Sequence, residues 1–143
     1  MITNAQRQVI ARWYPGLERG DIEDLVRLFA PHPWIRNAAM PPMEGPDAPR
    51  RLLTEFFAHT IARRFSVLDA AAGDGQLFVG WTGDLTFASA GGLEDVTRRR
   101  SLTVTLRGVE RFQLDDQGRI EQLDVFHETT SVTEAARKAG LQV

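Results

Sequence analysis

A stretch of regular alternation in the second half of the chain strongly limits what the protein can fold into. From Leu102 to Leu114 the sequence reads LTVTLRGVERFQL, and every second residue is apolar or glycine with one exception. A two-residue period is typical of a β-strand that lays one face on a core. The exception is Glu110, which the alternation places on the inward face. Because a buried carboxylate costs several kcal/mol unless it is paired, hydrogen-bonded or protonated, Glu110 is the first candidate functional residue.

Helical spacing dominates the chain before Arg64, and strand alternation dominates after it. Thr3 or Asn4 is predicted to begin a first helix that ends at Gly20, a short second helix follows, and Asp47 begins a third. The proline-rich segment APHPWIRNAAMPPMEGPDAP is predicted to be a loop. Helices followed by about four strands predict a single α+β domain over residues 1–143, with a curved antiparallel sheet.

Turns and glycines divide the strand region. Gly80, Gly83 and Gly108 are interpreted as bends in long strands. Ala90-Gly91-Gly92 predicts a hairpin turn, and SVTEAARKAG predicts a closing helical turn. A strongly curved sheet with a few helices can enclose a pocket as well as a core.

Composition excludes several classes of function. The formal net charge of -2 gives no field to attract nucleic acid or an anionic membrane, and Arg98-Arg99-Arg100 is expected to be a solvated stretch. The chain has no cysteine, its histidines lack metal-ligand spacing, and it has no nucleotide-binding glycine motif. We therefore expect neither a metal nor a cofactor. Without a signal peptide or a long apolar run, the chain is predicted to be cytoplasmic.

The last strand offers a partner for Glu110. Leu123, Val125 and His127 share its cleaner apolar face. If the preceding turn carries a bulge, Glu110 pairs near Val125 and His127 lies diagonally from it, as in a proton-transfer pair. Two alternatives stay open: a bulge at Gly108 would turn Glu110 outward, and His127 would then be an ordinary core histidine.

Asp84 is a conditional candidate. It has the opposite parity to Trp81, Leu85 and Phe87, so it faces solvent unless the strand bulges at Gly83. With such a bulge, Asp84 would be a third catalytic residue.

Three further polar or aromatic residues are binding candidates. Trp13 and Tyr14 are adjacent on the first helix, and at least one of them points at the sheet, either as core or, for Tyr14, as a phenol donor to a ligand. Asn37 lies in the proline-rich segment, where asparagine either caps a turn or contacts a ligand.

These residues, in this order, resemble the NTF2-like or SnoaL-like superfamily, whose fold is a cone of curved sheet wrapped by three N-terminal helices around a ligand pocket. GLERGDIEDLVRLFA resembles the first helical hairpin of that family, and DDQGRIEQLDVF resembles its last turn and strand. NAAMPPMEGPDA resembles the segment of limonene-epoxide hydrolases whose asparagine helps to hold the nucleophilic water, and Asn37 matches that residue. The Asp-Arg-Asp triad of those hydrolases is not matched. Asp84 is the one residue that could correspond to a triad member, and the position of the second aspartate is occupied by Val125.

Other relatives give different matches. The resemblance to ketosteroid isomerases aligns Glu110 with the acid of their oxyanion hole and Asn37 with their general base. The tyrosine of their oxyanion hole aligns with Trp13, which is the residue before Tyr14 in this chain. Polyketide cyclases of the SnoaL-like type would place their histidine at or next to Glu110 and their aspartate at Val125.

The resemblance implies an apolar pocket for a small hydrophobic, polyketide- or terpenoid-like molecule. It implies acid-base chemistry (cyclisation, isomerisation, dehydration or epoxide opening), with Glu110 as acid or donor, His127 as base or shuttle, and Asn37 and Tyr14 orienting substrate or water. The predicted walls are Trp13, Trp81, Leu106, Phe112, Leu123 and Val125.

The alternative is a non-catalytic ligand-binding or dimerisation module. A homodimer, common in this superfamily, would use the outer sheet residues Arg107, Val109, Arg111 and Phe126.

Overall fold

The computed structural model describes residues 1–37, 40–88 and 101–128, together with Glu134 and Arg137. The predicted turn at Ala90-Gly91-Gly92 and the basic run at 98–100 lie outside these residues, and so does most of SVTEAARKAG. The described elements are three helices and six strands, in the order α1 (Asn4–Arg19), α2 (Ile22–Val26), β1 (Phe29–Asn37), β2 (Met43–Glu44), α3 (Ala48–His59), β3 (Thr60–Gly73), β4 (Gln76–Ala88), β5 (Ser101–Leu114) and β6 (Ile120–His127).

The helices begin where their capping residues predict. Thr3 and Gln6 form a reciprocal capping box at the start of α1, and Gly20 ends the helix in the left-handed conformation with φ 72°. Asp21 caps α2 with its side chain. Asp47 precedes α3 as predicted, but its side chain makes no capping hydrogen bond there.

All six strands form one curved sheet in the order β2-β1-β6-β5-β4-β3. The α+β prediction is confirmed, but the prediction of an antiparallel sheet of about four strands is wrong, because β1 runs parallel to β6. The segment predicted as a loop supplies both missing strands. Its Pro31 and Pro33 fall where the pairing of β1 with β6 shifts register, between Phe29 and Trp34. Proline is tolerated there because an irregular stretch does not need every N–H in the ladder.

The register of the three central strands decides which side chains face inward. β4 and β5 pair without a shift, with Val79 opposite Glu110. The bulge that would have turned Glu110 outward is therefore absent from this ladder. The pairing of β5 with β6 shifts between Gln113 and Leu114, next to the turn, and this brings Val125 opposite Glu110 as predicted.

The helices pack against the inner face of the sheet and bury an apolar core. Trp13 of α1 contacts Phe29 and Phe112 edge-on, with ring centroids 5.7 and 5.9 Å away. No helix among the described residues is both long and apolar enough to cross a membrane. The largest fully buried apolar side chains are Trp13, Leu25, Ile35, Leu53, Leu77, Phe112, Ile120 and Leu123.

Candidate active site

A cavity of about 350 Å³ lies between α1, α3 and the inner face of the sheet. Its wall is mostly apolar, with Asn37, Glu110 and His127 as polar exceptions. A mostly apolar pocket with a few convergent polar groups is typical of a site for a small organic molecule. The remaining wall residues are Trp13, Leu17, Leu52, Leu53, Phe56, Phe65, Trp81, Leu85, Phe87, Leu106 and Val125.

Glu110 is held in the cavity wall by two donors from α1. The Tyr14 hydroxyl donates to Oε1 of Glu110 at 2.7 Å, and the Trp13 indole Nε1 donates to Oε2 at 3.2 Å. The side chain of Glu110 is only 4% exposed. A carboxylate oxygen can accept more than one hydrogen bond, so both oxygens keep acceptor capacity for a ligand.

Burial sets the acidity of this pair. Loss of hydration raises the pKa of Glu110 to about 7, although the hydrogen bonds from Tyr14 and Trp13 act in the opposite direction. Burial, followed by the nearby Glu110 carboxylate, raises the pKa of Tyr14 far above its ordinary value. Tyr14 therefore stays a hydrogen-bond donor at any working pH, while Glu110 exchanges its proton near neutrality.

His127 lies on the inner face of β6, opposite Gly108 on β5, and lines the cavity as predicted. Its Nδ1 is buried and has no hydrogen-bond partner among the described residues. Trp81 on β4 lines the same cavity, and its Nε1 is likewise buried without a partner in the described part of the chain.

Two glycines make room for the Trp81 ring. A Cβ atom at Gly108 would lie 2.4 Å from Cζ2 of Trp81 and 2.6 Å from Cε2, and one at Gly83 would lie 3.3 Å from Cζ3. Neither glycine interrupts the β4–β5 pairing. At Gly108 the indole occupies the space that a side chain would need, and at Gly83 the Phe65 ring, 3.0 Å from such a Cβ, does so together with the indole.

Asn37 lies at the end of β1, opposite Val125 in the parallel ladder, and lines the cavity. Its contact with the cavity fits the prediction, although its backbone belongs to a strand and not to a loop.

Asp84 does not reach the site. Because β4 and β5 pair without a shift, Asp84 stays on the outer face opposite Thr105, where it is exposed and accepts a hydrogen bond from the Thr105 hydroxyl at 2.7 Å. Its conditional assignment as a catalytic residue is therefore wrong.

Three other predicted binding residues lie beside the cavity without lining it. Phe112 and Leu123 are fully buried in the core next to Glu110, and the Tyr14 hydroxyl is bonded to Glu110. Sequence reasoning missed much of the opposite wall. The apolar stripe of α3 and the inner face of β4 were visible in the sequence, but a wall and a core have the same pattern. The missed wall residues are Leu17, Leu52, Leu53, Phe56, Phe65, Leu85 and Phe87.

A second acid, Asp124, is buried on the other side of β6. Its carboxylate is fully buried and accepts hydrogen bonds from Arg36, at 2.9 Å, and from Arg111. Asp124 does not line the cavity. Among the residues described, no three histidine, aspartate or glutamate side chains are arranged to hold a metal ion.

Solved structures similar to this one include three proteins at low sequence identity. An epoxide hydrolase/cyclase-like enzyme, SalBIII, with a role in pyran ring formation in the polyether salinomycin, is 20% identical, with a TM-score of 0.69 over 87% of this chain and 92% of that chain. An LEH-like epoxide hydrolase of M. tuberculosis is 13% identical, with a TM-score of 0.72 over 95% and 92% of the two chains. A putative SnoaL-like polyketide cyclase of Shewanella denitrificans OS-217 is 10% identical, with a TM-score of 0.76 over 95% and 99%.

These likenesses show the fold alone. No curated protein sequence gives a match. Residues 10–123 match the model of the SnoaL-like domain, and this range covers α2, α3, most of α1 and most of the curved sheet. The chain therefore belongs to the SnoaL-like domain family.

Proposed function

We propose that the chain is an acid-base enzyme that acts on a small, mostly hydrophobic molecule, with Glu110 as the group that transfers the proton. The observation that carries this proposal is the Glu110 carboxyl in the wall of an apolar cavity, oriented by two donors from one helix. Because its pKa is about 7, both its acid and its base form are populated near neutral pH. A general acid or base works best when its pKa is close to the working pH.

The hydrogen bonds of Glu110 suit a group that cycles between two charge states. In the ionised form, Trp13 and Tyr14 stabilise the carboxylate and fix its plane. The carboxylate then takes a proton from a hydroxyl, from water or from a carbon next to a carbonyl. The protonated form returns that proton to an oxygen or carbon of the same molecule. Trp13 and Tyr14 act as positioning residues in this scheme.

His127 and Asn37 complete the proposed machinery from the neighbouring strands. Both contact the cavity, so we assign His127 as a base or proton shuttle and Asn37 as a group that orients substrate or water. The step needs neither a metal nor a cofactor, because it transfers a proton and involves no oxidation or reduction.

Among the reactions that such a site can carry, cyclisation or isomerisation of a polyketide- or terpenoid-like substrate is our first choice. Dehydration and epoxide opening would use the same proton transfer. Hydrolysis by a carboxylate-arginine-carboxylate triad is not proposed, because Asp84 faces away from the cavity. The similar structures named as a cyclase and an epoxide hydrolase support this choice of reaction class.

The pKa of Glu110 tests this proposal directly. Carbon NMR of labelled glutamate carboxyls, with Glu110→Gln to assign the signal, should give a value near 7. Asp84→Asn is the matched control, because it removes an exposed carboxyl of β4 and should leave the Glu110 titration unchanged. A Glu110 pKa near its ordinary value of 4.5 would contradict the proposal. Once a substrate is found, Glu110→Gln should lower its rate about 10²- to 10⁴-fold.

A non-catalytic ligand carrier would use the same cavity. It would bind the same hydrophobic molecules and release them unchanged, so product analysis after incubation separates the two functions.

A further inference from the structure

We infer that the cavity has a second polar end, formed by Nε1 of Trp81 and Nδ1 of His127, that binds an oxygen function of the substrate remote from the one at Glu110. This inference rests on the proposed function for its hydrophobic ligand, and it names what that ligand must carry. The class is an apolar skeleton with one oxygen function at each end.

Two buried nitrogen atoms of the cavity wall have no hydrogen-bond partner among the described residues. Among the described residues, Nε1 of Trp81 and Nδ1 of His127 are the buried side-chain nitrogens and oxygens that lack a hydrogen bond. Leaving a buried donor or acceptor without a partner is unfavourable, because the group has lost its water without gaining another hydrogen bond. Both residues line the cavity, so whatever fills the cavity can supply the missing partner. A ligand that displaces water there keeps these hydrogen bonds only if it brings a polar atom of its own.

The sheet places the two groups at one end of the cavity. Trp81 pairs with Gly108, and Gly108 pairs with His127, so the three residues form one row across β4, β5 and β6. The atoms of Trp81 that approach Gly108 are Cζ2 and Cε2, and Cε2 is bonded to Nε1. The nitrogen-bearing edge of the indole therefore lies over β5, on the side of the row where His127 stands.

The spacing along β5 separates this row from Glu110. Glu110 is two residues from Gly108, so the backbone rows that carry the two polar groups are about 7 Å apart along the strand. Val125 lies opposite Glu110 and Leu106 lies in the row beyond Gly108, so apolar wall borders both polar groups. The substrate that fits has an oxygen at Glu110, a hydrophobic body and a second oxygen at Trp81 and His127.

The chemistry of the two nitrogens sets the second oxygen. An indole N–H only donates, whereas one neutral imidazole nitrogen either donates or accepts. A carbonyl or ether oxygen can accept from Trp81, and a hydroxyl can in addition donate to His127. The shared requirement is an oxygen acceptor.

A set of naphthols tests this inference without knowledge of the substrate. The probes are 2,6-dihydroxynaphthalene, with an oxygen at each end, 6-methyl-2-naphthol, with a methyl group at the second end, and 6-methoxy-2-naphthol, with an acceptor only. By calorimetry near neutral pH, the dihydroxy probe should bind about tenfold more tightly than the methyl probe. If the methoxy probe also binds more tightly than the methyl probe, the second oxygen acts as a hydrogen-bond acceptor. If the dihydroxy probe alone gains affinity, its hydroxyl also donates to His127.

Variants locate the gain. Trp81→Phe keeps a ring but removes the N–H, and should reduce the advantage of the dihydroxy probe to near unity. Trp34→Phe is the matched control, since Trp34 belongs to β1 and does not line the cavity, and should keep the advantage.

The wild-type protein gives a second readout that does not depend on a variant folding. The chain has three tryptophans, and their indole N–H signals report on three places: Trp13 on the Glu110 end, Trp81 on the second end and Trp34 outside the cavity. The dihydroxy probe should shift the Trp81 signal downfield relative to the methyl probe, with Trp34 unchanged.

The outcomes separate this inference from the proposed function. If the probes bind and shift Trp13, but the second oxygen changes neither affinity nor the Trp81 signal, the second polar end is wrong and the proposed function stands. If no probe binds, both are contradicted.

Discussion

At the scale of single residues, the behaviour of Glu110 depends on two consecutive positions of α1. Trp13 and Tyr14 each donate to one oxygen of its carboxyl group, from a helix that is more than ninety residues away in the chain. The donors lower the cost of the charge, and burial raises it. Burial prevails, because the pKa of Glu110 is about 7 instead of its ordinary 4.5.

This balance predicts how stability depends on pH. The folded protein holds the Glu110 proton up to a pH of about 7, whereas the unfolded chain releases it near 4.5. Between these values the folded state binds more protons, so the free energy of unfolding falls as the pH rises, by about 3 kcal/mol in total from this group. Glu110→Gln should remove that decrease in urea unfolding measured across this range.

Asp84→Asn serves as the control for this prediction, because it changes an exposed carboxyl and should keep the wild-type slope. Equal slopes for the wild type and Glu110→Gln would show that Glu110 is not the buried acid described here.

The face of Glu110 could be predicted from the sequence, whereas the partner of Tyr14 could not. Alternation from Leu102 to Leu114 was sufficient because the β4–β5 ladder has no bulge to break it. The hydrogen bond of Tyr14 depends on how α1 is rotated over the sheet, and local spacing does not contain that angle. The requirement for glycine at position 108 could not be predicted either, because it depends on the Trp81 ring, which belongs to another strand.

At the scale of elements, the parallel pair of β1 and β6 is the part of the fold that sequence patterns did not reveal. Strand signals are weak in a segment with Pro31 and Pro33, and the partner strand lies at the far end of the sequence. Tertiary pairing thus overrides a local composition that is typical of a loop. The missed strand matters for function, because Asn37 reaches the cavity from it.

Asp124 ties this pair to β5. Its buried carboxylate accepts from Arg36 on β1 and from Arg111 on β5, so one side chain connects three strands. Asp124→Asn leaves both arginines without their charged partner. We expect the free energy of unfolding to fall by about 2 kcal/mol, measured in urea.

Glu23→Gln is the matched control, because the Glu23–Arg50 pair is exposed and its loss should change stability little. If both variants were equally stable, the Asp124 cluster would not hold β1 in place.

At the scale of the whole molecule, the outer face of the sheet carries an exposed apolar patch. Phe78, Val109 and Phe126 are 40%, 42% and 45% exposed, and Val109 pairs directly with Phe126. Asp69 lies in the same row of the sheet, and Arg107 is two residues from Val109, so charges of both signs flank the patch. We propose that a second copy of the chain covers it, because a two-fold arrangement can place these unlike charges opposite each other.

Sedimentation tests this dimer. Val109→Glu puts a charge at the centre of the patch and should shift the protein to a monomer, whereas Ile61→Glu, at an exposed position near the other end of β3, should leave the dimer intact. A wild-type protein that sediments as a monomer at all concentrations would rule the dimer out.

The cytoplasmic location stays a prediction of the sequence.

The pairing of β1 with β6 also has a consequence for the order in which the molecule is made. Arg36 and Asp124, which join these strands, are 88 residues apart, so a ribosome delivers β1 long before its partner. Until β6 has emerged, no strand can place Val125 opposite Glu110, so the enclosure of the folded molecule is incomplete. The pKa of about 7 is therefore a property of the completed sheet, because the last strand forms part of the cavity wall around Glu110.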